Sequence, residues 1–169
     1  MTGDPADPEL RAELLAMMEA DQAERRSTAT TRWYDRERAA RLEEILDEGG
    51  GWPDPARVGA AGVFVAWLIA QHADHDVAFQ ERALALLRAA VTAGRARPSE
   101  LAYLEDRVAV NTGRPQRYGT QCLVVDGRLE LRPMSDPDTV DERRAAMGME
   151  PLADYVVRLR EVNARFLDP

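Results

Sequence analysis

One stretch of the chain is nearly all apolar, and the rest of the fold has to be arranged around it. From about Gly59 to Ala73 it carries Val63, Phe64, Val65, Trp67, Leu68 and Ile69. The segments before and after it mix apolar and charged residues. A helix that is apolar on all sides must be covered by others, so this stretch predicts the central buried helix of a bundle. Its longest apolar run, Val63 to Ala70, is far too short to span a bilayer.

The flanking segments supply the covering helices. Residues 1–8 are polar and rich in Pro and Asp, so fraying is expected there. A first helix follows over about Pro8 to Arg25, with Leu10, Leu14, Met17 and Met18 on one side. A second starts near Ser27 or Thr31, carries Trp33, Leu42, Ile45 and Leu46, and stops at Gly49-Gly50-Gly51. Asp76 is a good N-cap for a fourth helix that runs to about Gly94. Pro98-Ser99 opens a fifth, over about Ser99 to Thr112, whose apolar residues fall on two sides.

The hydrophobic period then changes. Tyr118 to Val125 and Arg128 to Pro133 flank Asp126-Gly127, the signature of a type I′ hairpin. Thr139-x-x-Glu142 reads as a capping box before a short helix, and Pro151 opens a last helix to about Phe166. The expected fold is therefore mainly α. It is a single-domain bundle of about six to seven helices over residues 1–169, with one β-hairpin over about 118–133.

Composition removes several chemistries. All 22 basic residues are arginine. Without lysine there is no Schiff-base residue, no phosphate-binding loop of the G-x-x-x-x-G-K type and no kinase lysine. G-x-G-x-x-G and G-x-S-x-G stretches are also missing. A net charge of −8 argues against non-specific nucleic-acid binding and against a polybasic membrane surface. The lone cysteine, Cys122, cannot form an internal disulfide, which fits a reducing, cytoplasmic setting. Its period-two position predicts inert packing rather than nucleophilic chemistry.

Only two histidines exist, in Gln71-His72-Ala73-Asp74-His75-Asp76. Any imidazole chemistry near neutral pH belongs here. The i,i+3 spacing of His72 and His75 can chelate a cation, but Asp76 is better used as an N-cap and no third histidine exists. In the bland reading His72 caps the C-terminal end of the apolar helix and His75 is solvated. Arg107 lies near an apolar flank of its helix. It either packs its stem there or offers a planar donor fork to a carboxylate or phosphate. The densest polar stretch, residues 113–121, places Arg114, Gln116, Tyr118, Thr120 and Gln121 between a helix end and a strand start.

Three ordered motifs resemble one family. They are Trp67-Leu68-Ile69-x-Gln71-His72-Ala73-Asp74, Ala102-Tyr103-Leu104-x-Asp106-Arg107-Val108 and Gly113-Arg114-Pro115-Gln116-x-Tyr118-Gly119-Thr120-Gln121. The pattern resembles an uncharacterised bacterial family, domain-of-unknown-function 6624, over roughly Trp52 to Tyr155. The resemblance implies that His72, Asp74, Asp106, Arg107, Gln116, Tyr118 and Gln121 form one constellation. It supplies no activity.

The leading expectation is a small, cofactor-free enzyme acting on a small polar or anionic metabolite. His72 would be the general acid/base, with Asp74 or Asp106 orienting its ring. Arg107 would bind an anionic group. Tyr118, Gln116 and Gln121 would donate to a carbonyl or oxyanion, with Arg114 and Thr120 as further substrate contacts. The reaction would be a hydrolysis, elimination, isomerisation or cyclisation. The alternative is a non-catalytic module in which the same groups hold a ligand or a protein partner, or form a structural network around His72, Arg107 and Gln121. A third reading is a metal site at His72 and His75. The sequence leaves oligomeric state open.

Overall fold

Asp54 starts the apolar helix. Its side chain accepts the Ala56 N–H at 2.8 Å, and Pro55 fills the first turn, where a missing N–H costs nothing. The computed structural model describes residues 4–26 and 32–167. The expected start of the second helix at Ser27 or Thr31 lies outside the described residues. In chain order the first four helices are α1 (Pro8–Arg26), α2 (Arg32–Gly49), α3 (Pro55–His72) and α4 (Val77–Thr92). Gly59 interrupts α3 with φ 72° and ψ 165°, so the straight part begins where the apolar run predicts it. The described residues divide into two compact units, with the break between Arg97 and Pro98.

In the first unit α3 packs against α1, α2 and α4. Val58, Val65, Ala66 and Ala70 are fully enclosed, and the same core holds Leu14, Leu42, Leu46 and Leu87. Burying a Val or Leu side chain contributes about 1.5–3 kcal/mol, so this shared core is a main source of stability for the unit. It is not enclosed on every side, because Phe64, Trp67 and Leu68 are only half-buried. The segment leading into α1 is also better ordered than its composition predicts. Ala6 and Asp7 donate their backbone N–H groups to the Ala56 and Arg57 carbonyls, and the Asp7 carboxylate takes both Leu10 N–H and the Arg57 guanidinium. The scattered arginines pair with acids between helices, as Arg41 does with Glu13 and Arg82 with Glu43 and Asp47. Exposed pairs of this kind contribute about 0–1 kcal/mol each.

The second unit comprises α5 (Pro98–Asn111), β1 (Cys122–Val125), β2 (Arg128–Leu131), a 3₁₀ turn (Pro137–Thr139), α6 (Val140–Ala146) and α7 (Leu152–Leu167). The strands are antiparallel, with Cys122 opposite Leu131 and Val125 opposite Arg128. Asp126 and Gly127 both have positive φ, 48° and 74°, as the type I′ turn requires. The described residues hold seven helices and are 68% helical, so the protein is mainly α with one hairpin. No helix among them is long and apolar enough to cross a membrane.

Two local expectations are corrected. The hairpin covers 122–131 rather than 118–133, because Gly119 at φ 72° ends the extended run. The Thr139 capping box does not form. Thr139 makes no cap hydrogen bond, and its hydroxyl instead accepts Arg143 Nη1 at 2.6 Å while the 3₁₀ turn leads into α6.

Gly119 is a position whose backbone favours glycine. A Cβ there would lie 2.7 Å from Leu152 Cδ1, on a backbone already in the left-handed region. Gly119→Ala should lower the unfolding free energy by about 1–2 kcal/mol, chiefly through backbone strain, since the Leu152 methyl can move aside. Urea unfolding checks this: the midpoint should fall at an unchanged slope.

Candidate functional site

His72 closes α3, and its orientation comes from a residue 51 positions earlier. Its Nδ1 lies 2.9 Å from Oδ1 of Asp21, on α1. Asp21 is fully buried, and both of its oxygens are engaged. Arg25 Nε donates to them at 3.1 and 3.2 Å, and Gln22 Nε2 donates to Oδ2 at 2.9 Å. Burial alone pushes the Asp21 carboxyl up. The hydrogen bonds and charges of His72 and Arg25 more than offset this and hold it down at about 2. An ionised Asp21 can only accept, so Nδ1 carries a proton toward it and Nε2 is the ring nitrogen turned away from the carboxylate. Among the described residues Nε2 has no hydrogen-bond partner, and the side chain is 20% exposed.

Asp74 therefore does not hold the His72 ring in this structure. It is exposed, and its Oδ1 receives Gln80 Nε2 at 3.4 Å. Gln80, fully buried on α4, also donates to the carbonyls of Ala70 and Gln71 at 3.1 and 3.5 Å. It thus satisfies the open carbonyl end of α3 and fixes the turn that carries His72. Asp76 caps α4 as expected, accepting Phe79 N–H at 2.9 Å. The Gln71 side chain, 7% exposed, leaves Nε2 without a partner among the described residues. A buried donor left unpaired costs about 1–3 kcal/mol.

His75 is exposed in the loop before α4. It borders a depression of about 210 Å³ together with Arg36, Glu43, Asp76 and Phe79. His72 engages Asp21 through Nδ1, while His75 lies exposed before α4. Among the described residues no group of three or more His, Cys, Asp and Glu side chains is placed to hold a metal ion.

The remaining expected residues lie in the second unit, where Asp106 organises the polar loop. Asp106 is fully buried. Its carboxylate accepts the backbone N–H groups of Arg117 (2.6 Å), Tyr118 (3.0 Å) and Thr120 (3.0 Å), and the Thr120 hydroxyl at 3.0 Å. Both oxygens are occupied, so Asp106 acts as an anchor for the loop and not as a partner for an imidazole. Gln116, also fully buried, uses its amide as a substitute strand. Oε1 accepts Gln121 N–H at 2.8 Å, and Nε2 donates to the carbonyls of Gln121 and Arg132 at 2.9 Å each. Gln121 Nε2 donates to Thr120 Oγ1 at 3.0 Å, and its Oε1 accepts Arg107 Nη1 at 2.9 Å.

Arg144 and Tyr155 complete this network. Arg144, 1% exposed, donates to the Tyr118 and Glu150 carbonyls at 2.7 Å each. Its guanidinium lies 4.8 Å from the centroid of the Tyr155 ring, and Tyr155 donates its hydroxyl to the Thr120 carbonyl at 3.0 Å. Burial, with the Glu105 charge, pushes the Tyr118 phenol up, so it stays neutral and can only donate or accept a hydrogen bond. Arg114 stands apart from Asp106, donating Nε–H to Thr112 Oγ1 at 2.9 Å at the end of α5. Burial also pushes the half-buried Cys122 thiol up, as inert packing requires.

The structure thus gathers Asp106, Arg107, Gln116, Tyr118, Thr120 and Gln121 in one network, while His72 and Asp74 belong to the first unit. A family model of unknown function, DUF6624, matches residues 8–165. The chain belongs to this family. The DUF6624 match takes in α1, and with it Asp21, which lies outside the motif-bearing stretch from Trp52 to Tyr155. No curated protein and no solved structure matches the chain. Sequence reasoning missed Asp21, Gln80 and Arg144. Asp21 sits four residues before Arg25, a spacing that reads as a surface ion pair.

Proposed function

We propose that this protein is a small cytoplasmic bacterial enzyme that uses His72 as general acid/base on a small polar or anionic metabolite. One observation carries the reading. A buried carboxylate holds Nδ1 of a partly exposed imidazole, and among the described residues Nε2 has no protein partner. That arrangement fixes the tautomer and stabilises the imidazolium formed when Nε2 takes a proton. In the proposed step the Nε2 lone pair removes a proton from a substrate O–H, N–H or C–H bond. The same nitrogen then returns the proton to a leaving group or to a new position on the substrate. Hydrolysis, elimination, isomerisation and cyclisation all fit this balance. Asp21 is the positioning residue.

For the second unit the geometry favours a structural role. Asp106, Gln116 and Thr120 spend their hydrogen bonds on the loop itself, which supports the non-catalytic half of the alternative reading. Arg107 joins the same network through Gln121 Oε1.

The test is His72→Ala, with His75→Ala beside it. On any substrate turned over by the wild type, His72→Ala should lower turnover by about 10²–10⁴-fold, the usual contribution of a general acid/base. His75→Ala should leave turnover unchanged. Equal turnover in His72→Ala and wild type would remove the imidazole from the chemistry.

A further inference from the structure

Helix α7 buries Tyr155 in the polar network but leaves Val157 54% exposed. An open groove of about 480 Å³ lies along it, lined by Leu131 of β2 and by Leu152, Val156 and Val157 of α7. One charge of each sign also lines the groove, Asp141 from α6 and Arg160 from α7. Both are exposed, and neither is fully engaged. Asp141 Oδ1 accepts Leu152 N–H at 2.7 Å, while Oδ2 accepts nothing among the described residues. The Arg160 guanidinium makes no hydrogen bond or ion pair among them.

The order of these groups is complementary to its own reverse. The hydrogen bond to Leu152 N–H holds Asp141 at the start of α7. Arg160 lies two turns beyond Leu152, about 12 Å along the helix. Val156 is midway between Leu152 and Arg160 in the chain. A second α7 laid antiparallel, with a twofold axis near Val156, sets each Arg160 beside the other copy's Asp141. It also sets the exposed valines against each other. A parallel copy would set like charge against like. We propose that this groove is the interface of a twofold-symmetric homodimer, filled by α7 of a second copy of the chain. Such an interface is self-complementary, so the Asp141–Arg160 pair occurs in it twice. Burial of the valines supplies the attraction, and the paired charges fix the antiparallel direction.

Sedimentation equilibrium on the full chain reads the assembly. The wild-type mass should rise from 18.8 kDa toward twice that value as the chain concentration increases to about 1 mM. Val157→Asp should abolish the rise. Arg160→Glu should weaken the dimer Kd by about tenfold or more, because two exposed pairs turn from attraction to repulsion. Asp141→Arg should do the same. A mixture of Arg160→Glu and Asp141→Arg chains should regain wild-type association, since both pairs in the mixed dimer again have opposite signs. Circular dichroism shows which variants keep the fold. If Asp141→Arg does not, Val157→Asp and Arg160→Glu decide. A wild type that stays monomeric to about 1 mM would overturn the inference and leave the groove to a different partner. A dimer that survives Val157→Asp would place the interface elsewhere and overturn it too. So would an unchanged Kd in Arg160→Glu, or a mixture of two folded variants that fails to associate.

Discussion

Replacing Asp106 with alanine should cost about 3–5 kcal/mol of stability, the range expected when a buried charged hub is lost. One carboxylate receives three backbone N–H groups and a hydroxyl from the loop that joins α5 to β1. The loss would leave several donors unpaired in a region with little access to water. Each such donor costs about 1–3 kcal/mol, and relaxation of the loop recovers part of that. Asp106→Asn should recover little, because its amide would turn N–H groups toward the backbone N–H donors of the loop. Urea unfolding measures both. A loss below about 1 kcal/mol in Asp106→Ala would show that the loop holds its shape without the carboxylate.

Much of the fold was legible because its signals are local. The apolar run of α3, the Asp76 cap and the Asp126-Gly127 turn each need only a few adjacent residues to be read. The failures have a common cause, which is a side chain taking a role that secondary structure normally fills. The alternation from Tyr118 to Gln121 reads as strand, but Gln116 and Asp106 satisfy that backbone in place of a neighbouring strand. Thr139 and Glu142 have the spacing of a capping box, but Arg143 takes the Thr139 hydroxyl first.

The candidate site divides in the same way. His72 was legible because two histidines leave few choices, and residues 113–121 because polar side chains are so dense there. Their roles were not legible. Donor density in that loop reads as substrate binding, whereas Gln116, Thr120 and Gln121 mostly bind the chain itself. The sequence points to Asp74 or Asp106 as the imidazole's partner, because it displays neighbours in the chain and shared motifs but not packing. Helix packing brings Asp21 to His72 across 51 residues, and only the contact between α1 and α3 reveals it.

Asp21→Asn should lower turnover by about 10²–10⁴-fold while leaving the fold in place. An asparagine amide can hold the ring through a hydrogen bond. It cannot supply the negative charge that stabilises the imidazolium, and with its N–H toward Nδ1 it would select the wrong tautomer. The same variant tests the electrostatics independently. Asp21 is held at about 2 in the folded protein, against an ordinary value of 3.8. The folded state therefore binds this proton less readily than the unfolded chain does. The associated stability is fully present above about pH 4 and is lost as pH falls toward 2, amounting to about 2 kcal/mol. Wild-type stability measured from pH 5 to pH 2 should fall by that much more than Asp21→Asn stability over the same range. A flattened acid profile with unchanged turnover would make Asp21 a purely structural carboxylate. Loss of both would tie the buried charge on α1 to the chemistry at the end of α3.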